Sequence, residues 1–448
     1  MLVLLKQKMI PAEDCKPESL KQKYKGEVSV MALLSLLFLL IAIFLGFFRH
    51  MNTGLLAIGF SLVLGRLNGI PDKEVINGFN YSLFMILLGV TYLFSLAQLN
   101  GSLELLAKKV VALAGKHTFM IPIVIYVFSV VLSALGPGTV PTMAIMMVFS
   151  MALAAEMGIN PAMLSALSVL GASGGGVSPL AATGIIGINL CAGFGLTGIE
   201  KQFLMNGILS STVYGAIVYF LLGGYKLHSD KVISQDDIPP FNRNQIITLI
   251  GIGIMVILVL FFKVNVGLTG FAVAMVLSFL RVADEGEAIK KIPWGTLLLI
   301  TGVGVLMHII IKLGGIKLLS EALASVMTPA TSVTIMGITS GIMSWFSSTS
   351  GVVMPTLIPT IPEVLGKLGV AGPALELEMA TAITMISNTA GISPLSTGGA
   401  LALAAYSSAA NASPQLQHRL FIRMFSISAL GVVVLSILAY FGLYRMLL

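Results

Sequence analysis

Residues 171–184 read GASGGGVSPLAATG, and residues 387–399 read SNTAGISPLSTGG. Both stretches interrupt apolar sequence. Both carry Ser-Pro-Leu, at Ser178-Pro179-Leu180 and Ser393-Pro394-Leu395, 215 residues apart. Pro141-Thr142 and Pro355-Thr356 repeat at a spacing of 214, as do Leu99-Asn100-Gly101 and Leu313-Gly314-Gly315. Three matches at nearly one spacing mark a tandem duplication whose halves are interrupted at matching places. In an apolar chain, paired interruptions of this kind point to a transporter's binding site.

The chain is apolar throughout. Of its 448 residues, 56% are hydrophobic and 10% charged, and the mean hydropathy is +0.98. A soluble domain carries about 25% charged residues. Apolar runs near 29–48, 245–263 and 425–444 reach the roughly 20 residues of helix that cross a bilayer. The period-2 alternation of an outer-membrane barrel is absent. The net charge of +7 sits in short polar loops, as the positive-inside rule expects, and is no nucleic-acid footprint. Cys15 and Cys191 form neither a metal spacing nor a disulfide framework. The polar, Lys-rich tail 1–28 shows no cleavable signal pattern, and Met31 stands at the edge of the first apolar run.

The expected fold is an all-α polytopic membrane protein with two repeats, 29–225 and 245–448, joined by the polar linker 226–244 (KLHSDKVISQDDIPPFNRN). The first repeat reads as spans near 29–48, 53–68 and 79–98, then an amphipathic arm from Gly101 to His117 lying along the membrane surface. A re-entrant hairpin follows over 119–157, broken at Gly136-Pro137-Gly138-Thr139, with each arm short for crossing. Next come a helix over 160–192 broken at 171–184 and a span over 204–225. The second repeat follows the same plan, with spans 245–263, 266–281 and 294–312 and an arm from Gly315. Its hairpin tip falls at 347–355, its broken helix opens at 387–399, and its last span covers 420–446. Five spans per repeat is an odd number, so the second repeat enters the membrane upside down relative to the first, giving two inverted repeats of five transmembrane helices. A cytoplasmic linker agrees with the loop lysines and arginines but leaves the Lys-rich tail outside, so the orientation stays open.

Non-helical backbone at membrane depth is tolerated only where it faces protein or a wet cavity. The four breaks, 136–141, 171–184, 347–355 and 387–399, are dense in Gly, Ser, Thr and Pro. Freed amides at half-helix N-termini suit an anion. Freed carbonyls and hydroxyls suit a hard cation such as sodium. No Asp or Glu lies in the middle of an expected span; Glu156, Glu321, Glu376 and Glu378 fall near expected helix ends. That argues against a proton relay through carboxylates. His308 and Lys312 read as the end of a span, with Lys312 snorkelling to the interface. Gly and Pro are also common in transmembrane helices as packing residues, so each break by itself has a structural reading; four in two matched pairs favour a site.

Met51-Asn52-Thr53-Gly54-Leu55-Leu56-Ala57-Ile58, Leu87-Leu88-Gly89-Val90-Thr91, Ala97-Gln98-Leu99-Asn100-Gly101, Ser133-Ala134-Leu135-Gly136-Pro137-Gly138 and Ser178-Pro179-Leu180-Ala181-Ala182-Thr183-Gly184 together resemble the MatC-type dicarboxylate (malonate) carrier family. More distantly, with Pro293-Trp294-Gly295 as a shared element, the chain is similar to the divalent anion/sodium symporters of the ion transporter superfamily. The resemblance implies a homodimer in which a fixed scaffold flanks a sliding transport domain built from both hairpins and both broken helices. That family carries Ser-Asn-Thr at its hairpin tips; here the tips read Gly136-Pro137-Gly138-Thr139 and Ser347-Ser348-Thr349-Ser350-Gly351, and Ser387-Asn388-Thr389 falls in a broken helix. The family's Ala-Thr-Pro corresponds to Ser396-Thr397-Gly398. Gly171-Ala172-Ser173-Gly174 also resembles the nucleophile motif of rhomboid intramembrane proteases, but no histidine stands in a rhomboid context.

The expected function is secondary active transport of a small di- or polycarboxylate across the cytoplasmic (inner) membrane, without nucleic-acid partners or an organic cofactor and with sodium as a candidate coupling ion. Thr139, Thr183, Ser348, Thr349, Ser350 and Thr397 are the expected hydroxyl donors to substrate, and Gly138, Gly184, Gly351 and Gly398 the expected amide donors. Ser133, Ser173, Ser347, Ser387 and Asn388 are the candidate sodium ligands. Transport of another anion, cation/proton exchange on the same fold, and serine proteolysis are the alternatives.

Overall fold

A computed structural model describes residues 17–112, 117–228, 238–410 and 413–447. Among them there are helices and no strands. The first half runs α1 Pro17–Arg49, α2 Thr53–Leu67, α3 Asp72–Asn77, α4 Tyr81–Leu99, α5 Ser102–Ala112, α6 Ile121–Ala134, α7 Thr139–Met157, α8 Pro161–Gly176, α9 Ala182–Ala192 and α10 Glu200–Leu221. The second runs α11 Arg243–Phe262, α12 Val266–Phe279, α13 Glu285–Lys291, α14 Trp294–Lys312, α15 Gly315–Ser325, α16 Ser332–Phe346, α17 Met354–Leu357, α18 Ile361–Lys367, α19 Pro373–Ala390, α20 Thr397–Ala410 and α21 Pro414–Tyr440. The second half therefore repeats the first element by element, with one helix (α7) replaced by two (α17 and α18). Residues 1–16 of the expected tail, 113–116 of the first arm and 229–237 of the linker lie outside the described residues. The tail and first span merge, because α1 already begins at Pro17.

Several boundaries differ from those expected. Among the described residues, seven helices are long and apolar enough to cross a membrane, against ten expected spans: they lie at Val30–Phe48, Tyr81–Leu99, Thr139–Met157, Glu200–Leu221, Arg243–Phe262, Trp294–Lys312 and Pro414–Tyr440. α2 and α12, at 15 and 14 residues, are about 21–22 Å long at 1.5 Å per residue. The second arm of the first hairpin is not short: α7 has 19 residues. Its counterpart is cut into a π turn (Thr349–Val353), α17, a tight turn at Ile358–Thr360, and α18, where Pro355, Pro359 and Pro362 each remove a backbone donor.

The broken helices open over fewer residues than their composition suggests. α8 continues through Gly171–Gly176 and α19 through Ser387–Ala390. The glycines of α8 serve contact instead of unwinding. A Cβ on Gly171 would lie 2.7 Å from Ser129 Cβ, and one on Gly175 would lie 2.9 Å from Ala134 N, so only glycine lets α8 seat on α6.

Glycine also sets how the two halves cross. α2 packs on α14 and α4 on α12. Gly54 in α2 and Gly267 in α12 occupy matched positions, as do Gly89 in α4 and Gly302 in α14. A Cβ on Gly302 would overlap the backbone of Gly54, and one on Gly270 would lie 2.7 Å from Gly89 O. Backbone approach of this kind drives helix association in lipid, where burial of apolar surface contributes little. Each short helix is started by a matched asparagine. Asn52 Oδ1 accepts from Gly54 N at 2.9 Å, and Asn265 Oδ1 accepts from Gly267 N at 3.0 Å. Asn52 Nδ2 also donates to Gly295 O at 2.7 Å across the repeats.

Polar ties complete the crossing. Lys312 forms an ion pair with Glu74 at 2.7 Å instead of simply reaching for the interface, and holds the Glu74 carboxyl below its usual range. Tyr92 Oη donates to Glu285 at 2.8 Å. At the C-terminus, Gly442 reverses the chain at φ +85°, Tyr444 Oη meets Ser210 Oγ at 3.0 Å, and Arg445 pairs with Glu378 at 2.7 Å. Glu378 lies in the second turn of α19, near the helix end as expected, but its side chain is buried, 1% exposed.

Three outcomes follow for detergent-solubilised protein. Gly302→Leu overpacks the α2–α14 crossing and lowers stability by about 1–3 kcal/mol or more, read as a fall in the thermal unfolding midpoint. Gly59→Ala, with no atom within 4 Å of the added Cβ, leaves the midpoint unchanged or raises it, because alanine is the better helix former. Arg445→Ala lowers the midpoint more than the double change Arg445→Ala with Glu378→Gln, since the single change strands a buried charge.

Candidate functional site

The repeated tripeptide folds the same way twice. Ser178 Oγ accepts from Leu180 N at 3.2 Å, and Ser393 Oγ accepts from Leu395 N at 3.2 Å. The carbonyl of Ser178 accepts from Ala181 N at 3.0 Å, and that of Ser393 accepts from Ser396 N at 2.9 Å. Each turn is then closed by a glycine. A Cβ on Gly184 would overlap Ser178 O, and one on Gly399 would overlap Ser393 O. The turn satisfies backbone groups that an interrupted helix exposes, and it aims α9 and α20 inward as short half-helices.

Each half-helix packs against the hairpin of the other repeat: α20 on α7, and α9 on α17 and the turn after it. Each hairpin in turn is pinned to the broken helix of its own repeat. Ser133 Oγ donates to Ala172 O at 2.7 Å, and Ser344 Oγ donates to Ser387 O at 2.7 Å. Ser133 and Ser344 are 211 residues apart, so the bond is duplicated.

Thr139 and Ser350 are also 211 apart, and their hydroxyls meet on a single partner. Thr183 Oγ1 lies 3.1 Å from Thr139 Oγ1 and 3.1 Å from Ser350 Oγ. Three of the four breaks therefore converge on Thr183, with Thr139 7% and Thr183 3% exposed. Thr139 opens α7, Thr183 lies in the first turn of α9, and Ser350 lies in the first turn of the π segment. The positive ends of these segments thus meet around a set of hydroxyls. Gly138, at φ +77°, lets the hairpin backbone come within reach of α9, since its Cβ would lie 3.2 Å from Ala182 N.

The remaining expected residues are placed as follows. Thr349 Oγ1 bonds to Ser344 Oγ at 2.9 Å, within the hairpin. Ser348 Oγ accepts from Gly351 N at 3.1 Å, so the Gly351 amide is occupied by the tip itself. Thr397 is exposed and makes no hydrogen bond to the three hydroxyls. Gly398 is buried 3.1 Å (by its added Cβ) from Met143 Sδ, where it allows α20 to close on α7. Of the candidate cation ligands, Ser347 and Ser387 donate to carbonyls of their own helices, Met343 O at 2.7 Å and Ile383 O at 2.6 Å. Ser173 Oγ and Asn388 Nδ2 are buried without a partner. These two occupy corresponding places, each directly after the residue whose carbonyl receives the hairpin serine. The lack of any base on Ser173 Oγ removes the protease arrangement.

Two polar residues escaped the sequence reading. Thr142 Oγ1, in the first turn of α7, and both amide atoms of Asn206 in α10 are buried without partners. Asn206 neighbours Gly207, whose added Cβ would meet Val177 and Met385 of the two broken helices. An asparagine inside an otherwise apolar span was the available signal.

Residues 30–176 match the family model for the dicarboxylate carrier protein MatC N-terminus, a stretch that ends with α8. No curated protein matches the chain. Among solved structures the chain is similar to the Alcanivorax borkumensis YdaH transporter, whose crystal structure is described as revealing an unusual topology. The identity is 14% and the TM-score 0.57, over 92% of this chain and 98% of that one. The carrier resemblance read from the sequence thus holds over residues 30–176, and the fold of the chain is similar to that of a solved membrane transporter.

Proposed function

We propose that this chain is a secondary active transporter of small di- or polycarboxylates, coupled to a cation such as sodium. The carrying observation is the junction at Thr183, where hydroxyls from two hairpins and one broken helix meet at the N-terminal ends of their segments. Hydroxyls and freed amides in a low-dielectric setting hold a carboxylate through charge-assisted hydrogen bonds. In the state described, the three hydroxyls satisfy one another, and an arriving carboxylate replaces those mutual bonds.

The carboxylate brings negative charge into apolar surroundings, and bound cations offset it. Ser173 Oγ, buried without a partner, supplies an oxygen for them, and Asn388 at the corresponding place supplies the oxygen of its amide. A cation/proton exchanger needs a carboxylate free to titrate at the site. None stands among the three hydroxyls, and Glu378 is held by Arg445. The wider reading is an inner-membrane homodimer of inverted repeats. In it the hairpins and broken helices carry the solute past a scaffold that includes α2, α4, α12 and α14. It draws on the matched element order, the reciprocal crossings of α2 with α14 and α4 with α12, and the carrier resemblance of residues 30–176.

The test is initial-rate uptake of radiolabelled malonate, succinate and citrate into proteoliposomes, with sodium and proton gradients imposed separately. Saturable uptake of at least one acid, driven by a cation gradient, is expected. Thr183→Val removes one charge-assisted bond and lowers kcat/KM by roughly tenfold or more, whereas Thr397→Val stays near wild type. Ser173→Ala raises the sodium concentration needed for half-maximal uptake. Equal losses in the Thr183 and Thr397 variants would sink the Thr183 junction as the site.

A further inference from the structure

A cavity lies between α4 and the tip of the first hairpin. It has a volume of about 160 Å³ and largely apolar walls from α4, the arm and the hairpin, with Thr91, Ser95 and Gln98 of α4 and Lys291 of α13 as its polar side chains. Drug-sized sites run to about 300–1,000 Å³, so this one admits only a small molecule. Its hairpin wall is formed by Pro137, Val140 and Pro141, the chain neighbours of Gly138 and Thr139.

The lining decides the charge of the occupant. Thr91 Oγ1 donates to Leu87 O at 2.8 Å, and Ser95 Oγ donates to Thr91 O at 2.8 Å. Their protons are taken. Gln98 is half-buried and Lys291 exposed, and among the described residues neither side chain has a hydrogen-bond or ion-pair partner. By contrast, neighbouring Lys290 is paired with Glu287 at 2.7 Å. The free donors are thus an ammonium and an amide, and no carboxylate lines the cavity. The chemistry is that of an anion site.

The duplication supplies an internal control. At the offset of 213 that relates α4 to α14, Thr91, Ser95 and Gln98 become Gly304, His308 and Ile311, and Lys291 stands opposite Gly78. The second repeat has the same helices but not this set of side chains. The set is therefore not a by-product of the repeated fold.

We propose that this cavity is a waystation for the anionic solute, in which Lys291 attracts a small carboxylate and Gln98 orients it before it passes to the Thr183 junction. The inference rests on the carboxylate-transport reading and adds an entry site to it. Lys291 acts by raising the local concentration of anion, so its effect falls on KM and weakens with salt.

The experiment measures KM and kcat for uptake of a small dicarboxylate by the reconstituted full chain at low and high ionic strength. Lys291→Gln is expected to raise KM about tenfold at low ionic strength, with kcat unchanged and the gap closing as salt is added. Lys291→Arg keeps the wild-type KM. Ala144→Phe, which fills the cavity, raises KM at both ionic strengths. A wild-type KM for Lys291→Gln at low ionic strength, with wild-type uptake intact, overturns the waystation alone. Absence of saturable carboxylate uptake by the wild-type chain overturns the transport reading and the waystation with it.

Discussion

In hydrocarbon a backbone amide or carbonyl without a partner costs several kcal/mol, and the fold is organised around meeting that constraint at its interruptions. The Ser-Pro-Leu turn does so with local atoms. The serine hydroxyl takes the leucine amide, its carbonyl takes the next free amide, and a glycine six residues on lets α9 or α20 close over that carbonyl. Once the turn is satisfied, a half-helix can end inside the protein with its N-terminal end free to face a ligand. Without the turn, the chain would have to run straight through, and no hydroxyl from α9 could reach the hairpins.

The second organising feature is close backbone approach at glycine. α2 crosses α14, and α4 crosses α12, at matched glycines, while α8 seats on α6 through Gly171 and Gly175. These contacts tie one repeat to the other and set the positions of the hairpins relative to the long helices. They also explain why a glycine-rich run such as 171–176 stays helical. In a packed apolar interior, glycine removes a steric obstacle more often than it melts a helix.

The repeated frame carries a hydroxyl junction that is not repeated. Thr139 and Ser350 are counterparts and both reach Thr183, but the counterpart of Thr183 is Gly398, 215 residues on. One hydroxyl therefore serves two symmetry-related partners. The cavity beside α4 has the same character, since Gln98 of the first half has Ile311 as its counterpart and Lys291 of the second half has Gly78. Duplication built the two arms, and divergence at a few positions gave one side its chemistry.

The amino-acid sequence by itself determined the membrane class, the repeated pattern and the Ser-Pro-Leu turns, because these depend on composition and on local turn chemistry. Ser178 and Ser393 bond within their own turns, and Gly138, Gly184 and Gly399 act within a few residues or at a tight approach, so their marks are local. The sequence also singled out Thr139, Thr183 and Ser350, but among many similar residues. Only the tertiary structure separated them from Thr397, Ser347 and Ser348, whose hydroxyls face outward or cap their own segments. It also brought Asn206, Glu378 and Lys291 into account. The reason is physical: a hydroxyl or carboxylate is indifferent to its sequence neighbours, and what it does depends on which atoms from distant helices come within about 3 Å of it. Those distances are set by glycine crossings between halves some 210 residues apart, a separation over which no local pattern can specify a partner.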